Sequence, residues 1–124
     1  MLHDKSLVAF IPTTDPARAK RFYTDVLGLL LVSEDRFALV YEVSNVRLRI
    51  TPVKEFTPHP FTVLGWDVPD ISEMVKALSA KGVRFEKFGL PDQADDGIWT
   101  APGGARVAWF KDPDGNLLSL SQHP

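Results

Sequence analysis

The chain has 124 residues, enough for one compact core and too few for two ordinary domains. Its hydrophobic fraction of 44% and charged fraction of 24% are typical of a soluble globular protein. The formal net charge of -2 argues against nucleic acid or an anionic membrane as a partner, and the lack of cysteine excludes disulfides and a thiol nucleophile. The start, "MLHDKSLVAF", has neither a charged leader nor a long apolar run, so we expect a cytoplasmic protein without a membrane span.

The first half of the chain predicts a strand, a helix and three further strands. In "SLVAFIPTTDPARAKRFYTDVLGL" a strand precedes Asp15, which is placed to cap a helix that has Pro16 at its first position and ends near Gly28. The strand-like segments "LLLVSE", "RFALVYEV" and "VRLRITPV" follow. We therefore expect a βαβββ module over about 5–53.

The second half repeats this order. In "FTVLGWDVPDISEMVKALSAKG" a strand leads to Asp70 as the helix cap and to Gly82 at the helix end, and the strands "VRFEKF", "ARVAWFKD" and "NLLSLSQ" complete the module. This predicts a second βαβββ module over about 62–122, a Pro-containing linker over about 54–61, and a single domain over 1–124. Residues 89–104 form an insertion rich in Gly, Pro and Asp, either a functional lid or a solvated loop.

A hairpin in the first module indicates which side chains face the core. If Ser44 and Asn45 form a two-residue turn, Val43 pairs with Val46 and the two strand faces follow from alternation. One face is apolar apart from a phenol, and it comprises Phe37, Leu39, Tyr41, Leu48 and Ile50. The other face is mixed, with Glu42 across from Arg47. We expect helices on the apolar face and solvent, a partner or a ligand on the mixed one.

Three motifs, "DPARAKRFYTDVLGL", "VPDISEMVKALSAKGVRF" and "FKDPDGNLLSL", occur in an order that resembles the vicinal oxygen chelate superfamily, the glyoxalase, bleomycin resistance and dioxygenase group. In the last motif, Pro113 and Gly115 suit a type I turn that Asp112 can brace. The resemblance implies an α+β fold in which two βαβββ modules form a curled mixed sheet around a cavity, commonly in a homodimer.

In metal-dependent members of this superfamily, His, Gln and Glu on four inward strand positions hold a divalent ion. The resemblance carries those positions onto Val8, Arg49, Val63 and Ser119, none of which is a good donor, and a guanidinium repels a cation. We therefore expect no metal and no other cofactor. The three histidines, His3, His59 and His123, lie where solvated side chains are common, and a metal site built from them is the alternative.

The mixed face suggests a site for an anionic or aromatic small molecule. Arg49 is the candidate anchor, Ser119 and Thr51 are candidate hydrogen-bond donors, and one of the adjacent Trp109 and Phe110 is a candidate aromatic wall. The predicted ligand-binding residues are Val8, Phe10, Arg49, Thr51, Val63, Asp67, Trp99 and Ser119.

Each of these assignments has an ordinary structural alternative. Arg49 could form a salt bridge with Glu42 or Asp67, and the aromatic side chains could be plain core. Three functions follow: a metal-independent binding protein that sequesters a small molecule, an atypical enzyme (lyase, isomerase or dioxygenase), and an accessory dimerisation module. For the enzyme, Asp67 and Glu42 are the candidate acids or bases and no catalytic residue is assigned. The sequence favours the binding protein.

Overall fold

The structure is a computed structural model that describes residues 1–124. The chain divides into two compact units, Met1–Thr57 and Pro58–Pro124. Each unit contains one four-stranded mixed sheet and one helical segment, in the order β-α-β-β-β. The predicted α+β fold of two βαβββ modules is therefore confirmed. Neither helix is long and apolar enough to cross a membrane.

The first unit begins with strand β1 (Val8–Thr13) and helix α1 (Pro16–Lys20), which continues as a π-helical segment (Arg21–Val26). Strands β2 (Leu30–Glu34), β3 (Leu39–Val43) and β4 (Val46–Pro52) follow, and the sheet order is β1-β4-β3-β2, with β1 parallel to β4. The Asp15 carboxylate accepts a hydrogen bond from the amide of Arg18, as the predicted N-cap requires.

The predicted hairpin of the first unit is confirmed in turn and register. Ser44 and Asn45 form the turn, Val43 pairs with Val46, and Glu42 lies across from Arg47. One face of this sheet is buried, and it includes Ile11, Leu39, Tyr41, Leu48 and Ile50. Phe37 was expected on the same face, but it lies in the bend before β3 and is exposed, because the carboxylate of Asp35 binds the amides of residues 37 and 38 and starts the strand later.

A buried phenol belongs to the core of the first unit. The hydroxyl groups of Tyr41 and Thr24 lie 2.8 Å apart in a hydrogen bond. Burial raises the pKa of the Tyr41 phenol above its usual value, because a phenolate loses solvation in the core. The free energy of unfolding should therefore fall at alkaline pH, where the phenol of the unfolded chain ionises first.

The second unit begins with strand β5 (Leu64–Asp67) and helix α2 (Ile71–Ala80), which Asp70 caps by accepting from the amide of Glu73. Strands β6 (Trp99–Thr100), β7 (Arg106–Lys111) and β8 (Leu117–Gln122) follow, and the sheet order is β5-β8-β7-β6. Helix α2 packs on β7 and β8. The buried side chains include Ile71, Val75, Ala108, Phe110, Leu118 and Leu120.

One predicted strand does not form. Residues 83–88 were expected to form a strand, but they contribute only a bridge between Phe85 and Phe110 and one hydrogen bond from the Glu86 amide to the Trp109 carbonyl. The other part of that edge is taken by Trp99 and Thr100 of β6, which the sequence placed in a loop. Because β7 has a single free edge, two short segments divide it between them.

The turn between β7 and β8 has the predicted bracing. The Asp112 carboxylate accepts hydrogen bonds from the amides of Asp114 and Asn116 and from the side-chain nitrogen of Asn116, and the Gly115 amide bonds the Asp112 carbonyl. Asp112 and Asn116 are both buried. The turn therefore fixes the register in which Trp109 pairs with Ser119 and Lys111 pairs with Leu117.

Candidate functional site

The second sheet presents two rows of side chains on the face opposite its buried side. In one row Gly65, Ser119 and Trp109 lie side by side on β5, β8 and β7. In the other row Asp67 pairs with Ser121, and Ser121 pairs in turn with Val107, which faces Trp99 on β6. Since neighbouring strands are about 5 Å apart, each row forms a continuous strip across the sheet.

Three aromatic rings line up on this face. The ring of Trp109 lies 6.0 Å from that of Trp99 and 5.3 Å from that of Phe88, with the Phe88 ring tilted by 64°. Phe88 is 48% exposed although it is large and apolar. Phe110, the other sequence candidate for an aromatic wall, is fully buried. Trp109, on the opposite face of β7, is therefore the candidate that can contact a ligand.

Beside these rings lies a groove of about 710 Å³. The segment 58–62 and strands β7 and β8 contribute its lining, which consists of Pro58, His59, Pro60, Phe61, Thr62, Phe88, Trp109, Lys111, Gly115 and Leu117. The imidazole of His59 and the ring of Phe61 stack in parallel, with centroids 4.8 Å apart and planes 7° apart. The groove is in the size range of small-molecule sites, roughly 300–1,000 Å³.

Gln93, in the insertion, holds the segment that carries the Phe88 ring. Its side-chain nitrogen donates to the carbonyls of Glu86 and Gly97, and its side-chain oxygen accepts from the amide of Phe88. Ile98 is buried. Gly97 has a φ of +94°, and a Cβ there would lie 2.8 Å from the Cβ of Phe85, so only glycine fits. The insertion is thus fastened to the segment that carries Phe88.

The predicted site residue Asp67 is exposed, and its contacts lie within the second unit. Its carboxylate accepts a 2.7 Å hydrogen bond from the Ser121 hydroxyl and lies 3.2 Å from Nε2 of His123. Ser121 donates its proton to the carboxylate, so the three groups do not form a relay that would activate the serine as a nucleophile.

The other predicted residues of the second unit lie on the same face. Val63, just before β5, donates its amide to the Leu117 carbonyl, and Ser119 lies between Gly65 and Trp109. Trp99 is one of the three aromatic rings on this face, next to Trp109.

In the first unit the predicted residues also share one face, the one opposite Leu39, Tyr41, Leu48 and Ile50. Phe10 lies beside Arg49 on the parallel pair of β1 and β4, Val8 lies beside Arg47, and Thr51 lies beside Pro12. Phe10 is 63% exposed and Val8 is exposed, whereas Arg49 and Thr51 are half-buried. An exposed aromatic ring beside a guanidinium is a surface that favours anionic aromatic molecules.

Sequence analysis did not identify most of the groove. It missed Lys111, Phe88, Phe61 and the role of His59. Lys111 and Trp109 carried a usable signal, since a turn at residues 112–115 pairs 109 with 119 and puts both on the Ser119 face. The segment 58–62 had no such signal, because its path depends on contacts with residues distant in the sequence. One of these is between Pro58 and the turn at Gly115, where a Cβ added to Gly115 would lie 3.1 Å from Cγ of Pro58.

The chain belongs to the Glyoxalase/Bleomycin resistance protein/Dioxygenase superfamily, whose family model matches residues 6–120. No curated protein matches it significantly. Among solved structures it is similar to a superfamily member from Sphaerobacter thermophilus DSM 20745, with a TM-score of 0.78, 24% identity and coverage of 99% of this chain and 100% of that one.

Two further structures of the same fold have names that indicate different functions. One is TnmS3, an antibiotic binding protein from Streptomyces sp. CB03234, with a TM-score of 0.77, 21% identity and coverage of 100% and 99%. The other is a lactoylglutathione lyase from Agrobacterium tumefaciens, with a TM-score of 0.74, 16% identity and coverage of 98% and 96%. At these identities the likeness establishes the fold and leaves the function open.

The residues of this chain do not fit the metal that some members of the superfamily use. The four positions that the resemblance assigns to ligands hold Val8, Arg49, Val63 and Ser119: two hydrocarbons, a guanidinium and a hydroxyl. No group of three or more His, Asp or Glu side chains in the structure could hold a metal ion. A divalent ion needs several such donors to replace its hydration shell.

Proposed function

We propose that this protein binds a small molecule without transforming it, as a metal-independent member of its superfamily that sequesters an anionic or aromatic ligand. The observation that carries the proposal is the groove beside Trp109, lined by aromatic rings that remain partly exposed to water. Exposed large apolar side chains that cluster at a concave surface are typical of binding sites.

The clustering of exposed rings supports this function. In the second unit the exposed large hydrophobic side chains are Phe61, Val63, Met74 and Phe88. Phe61 and Phe88 line the groove, and the amide of Val63 bonds to the groove residue Leu117. Only Met74, on helix α2, is elsewhere. While these side chains stay in water, the protein forgoes about 25 cal/mol for each Å² of apolar surface that burial would gain, and a bound ligand would supply that burial.

The chemistry on this face favours binding over catalysis. The carboxylate of Asp67 is exposed and already accepts a hydrogen bond from Ser121, and no cysteine is present. The named relatives support both possibilities, since one is an antibiotic binding protein and another is a lyase. An exposed, hydrated carboxylate that already accepts a hydrogen bond is poorly placed to act as a general base.

A thermal-shift screen of acidic and aromatic metabolites tests this proposal. A ligand should raise the melting temperature and should be recovered unchanged by mass spectrometry after long incubation with the protein. Trp109→Leu should abolish the shift, whereas Trp66→Phe, on the buried face of the same sheet, should retain it. Conversion of the bound compound would instead establish the enzyme.

The predicted ligand contacts of the first unit remain part of the proposal. On the first unit, Arg49 is the proposed anchor for an acidic group at a second contact surface, separate from the groove, with Phe10, Val8 and Thr51 around it. Arg49→Ala should then weaken the binding of an acidic ligand at least about tenfold with little loss of stability. Severe unfolding of that variant would identify Arg49 as a structural ion-pair residue.

We further propose that the protein is a homodimer in the cytoplasm. The exposed side chains of Leu30 and Val32 on strand β2 of the first unit support a dimer, because a second copy would shield them from water. Equilibrium sedimentation tests the dimer. A protein that stays monomeric at about 100 µM would contradict it.

A further inference from the structure

We propose that the ligand of the groove is a planar aromatic molecule that carries an anionic group, with its ring against Trp109 and Phe88 and its anion on the ammonium group of Lys111. This inference rests on the proposed small-molecule binding function and adds the chemical class of the ligand and the residue that selects it.

The requirement for a planar ring comes from the walls. Phe88 meets Trp109 edge to face at 5.3 Å, and both rings line the groove. Phe61 is 57% exposed and holds the imidazole of His59 in a parallel stack. Pro58, Pro60 and Leu117 add apolar surface. Aromatic surfaces of this kind contact flat rings through stacked or edge-to-face geometry, which an aliphatic ligand cannot reproduce.

The requirement for an anion comes from the charges of the lining. Lys111 is the only lining residue with a permanent charge, and no carboxylate is among the lining residues. A cationic ligand would therefore meet a like charge, and a neutral one would leave the ammonium group without a ligand partner.

The one acidic neighbour of Lys111 leaves its ammonium group available. The carboxylate of Glu86 lies 3.7 Å from the Lys111 nitrogen, longer than a hydrogen bond, and the lysine side chain is 55% exposed. A primary ammonium has three donors, so a ligand carboxylate, sulfonate or phosphate can bind without displacing Glu86. Lys111 lies two residues after Trp109 on β7, so the two side chains are on the same face of the sheet. A single ligand can therefore place its anionic group on Lys111 and its adjacent ring against Trp109.

A matched pair of probes tests both requirements. 2-Naphthoate and 2-naphthamide have the same ring system and differ in charge. Binding is measured by quenching of Trp109 fluorescence in a variant that carries Trp66→Phe and Trp99→Phe, with isothermal titration on the unmodified protein as a second readout. We expect saturable binding of 2-naphthoate at least about tenfold tighter than that of 2-naphthamide at low salt. Cyclohexanecarboxylate, an anion without a planar ring, should bind more weakly than 2-naphthoate.

Lys111→Met should remove the preference for 2-naphthoate and leave the affinity for 2-naphthamide unchanged. Lys76→Met is the matched control, because Lys76 lies at the same 3.7 Å distance from a glutamate but on helix α2. It should retain the full preference.

The outcomes separate this inference from the function on which it rests. Equal binding of both naphthalene probes, unaffected by Lys111→Met, would overturn the anionic class while retaining an aromatic binding groove. Binding of neither probe at millimolar concentration would overturn the ligand class assigned here, and the thermal-shift screen would then decide alone whether the protein binds other small molecules.

Discussion

Gly65 and Ser119 lie side by side on the parallel strands β5 and β8, and a Cβ added to Gly65 would lie 2.5 Å from the Ser119 hydroxyl oxygen. The serine hydroxyl thus uses space that the glycine leaves free, in the row that also holds Trp109. Since this oxygen can rotate about the Cα–Cβ bond, the two positions should be energetically coupled rather than strictly incompatible.

A double-mutant cycle measures that coupling. Gly65→Ala alone should destabilise the protein by about 1 kcal/mol, because the serine must leave its rotamer. In a Ser119→Ala background the same change should be neutral or stabilise by about 0.5 kcal/mol, since alanine restricts the unfolded chain more than glycine does. Urea unfolding of the four proteins gives the values. Additive effects, with no coupling above about 0.5 kcal/mol, would contradict the observed contact.

The buried turn at Asp112 should be sensitive to loss of a single charge. Asp112→Asn keeps one acceptor oxygen but presents an NH₂ group where the Asn116 side-chain nitrogen now donates, so we expect a loss of about 1–3 kcal/mol. Asp35→Asn is the matched control, because Asp35 braces an exposed bend through one oxygen that asparagine can replace. It should change the free energy of unfolding by less than about 0.5 kcal/mol.

Gln93 should determine the order of the insertion. Gln93→Ala removes three side-chain hydrogen bonds to main-chain groups of 86, 88 and 97, and should cost about 1–3 kcal/mol. Hydrogen exchange should accelerate at the Phe88 amide, which loses its acceptor. Asp95→Ala, an exposed change in the same insertion, should leave exchange and stability nearly unchanged. Unaltered protection of Phe88 in Gln93→Ala would show that the insertion is held by other contacts.

Tyr41 should make the protein less stable in alkali. Because the folded state raises the pKa of this phenol, it holds the proton more tightly than the unfolded chain does, so the contribution is complete below about pH 10 and is lost as the pH rises through the folded pKa. Urea midpoints compared between pH 8 and pH 11 should fall less for Tyr41→Phe than for the unmodified protein. Thr24→Val keeps the buried phenol and should retain the fall. Identical pH profiles for all three proteins would exclude the coupling.

The parts of the fold that could be predicted depend on local chemistry. Asp15, Asp70 and the residues of the 112–115 turn act on amides two to four positions away, so their patterns are visible in the sequence. Alternation in the first hairpin likewise predicted the buried face of β3 and β4.

The parts that were missed depend on competition between distant segments. Residues 83–88 have the composition of a strand, but Trp99 and Thr100 occupy part of the same edge of β7, and no local pattern ranks the two. The groove residues Phe61 and His59 belong to a Pro-containing segment without periodicity, and their stacking depends on the path of that segment. The sequence therefore indicated the face that holds Ser119 and Trp109, but not most of the residues that line the groove.

The four edge strands, β1 and β2 in one sheet and β5 and β6 in the other, are poorly suited to pair with the backbone of another molecule. Strand β6 has only two residues, β5 has four and is followed closely by Pro69, β1 contains Pro12, and β2 has a bulge between Leu31 and Ser33. Short, bulged or proline-bearing borders offer few free amides in register to an incoming chain. The molecule can therefore keep apolar rings open for a ligand while giving amyloid-like growth little to template on.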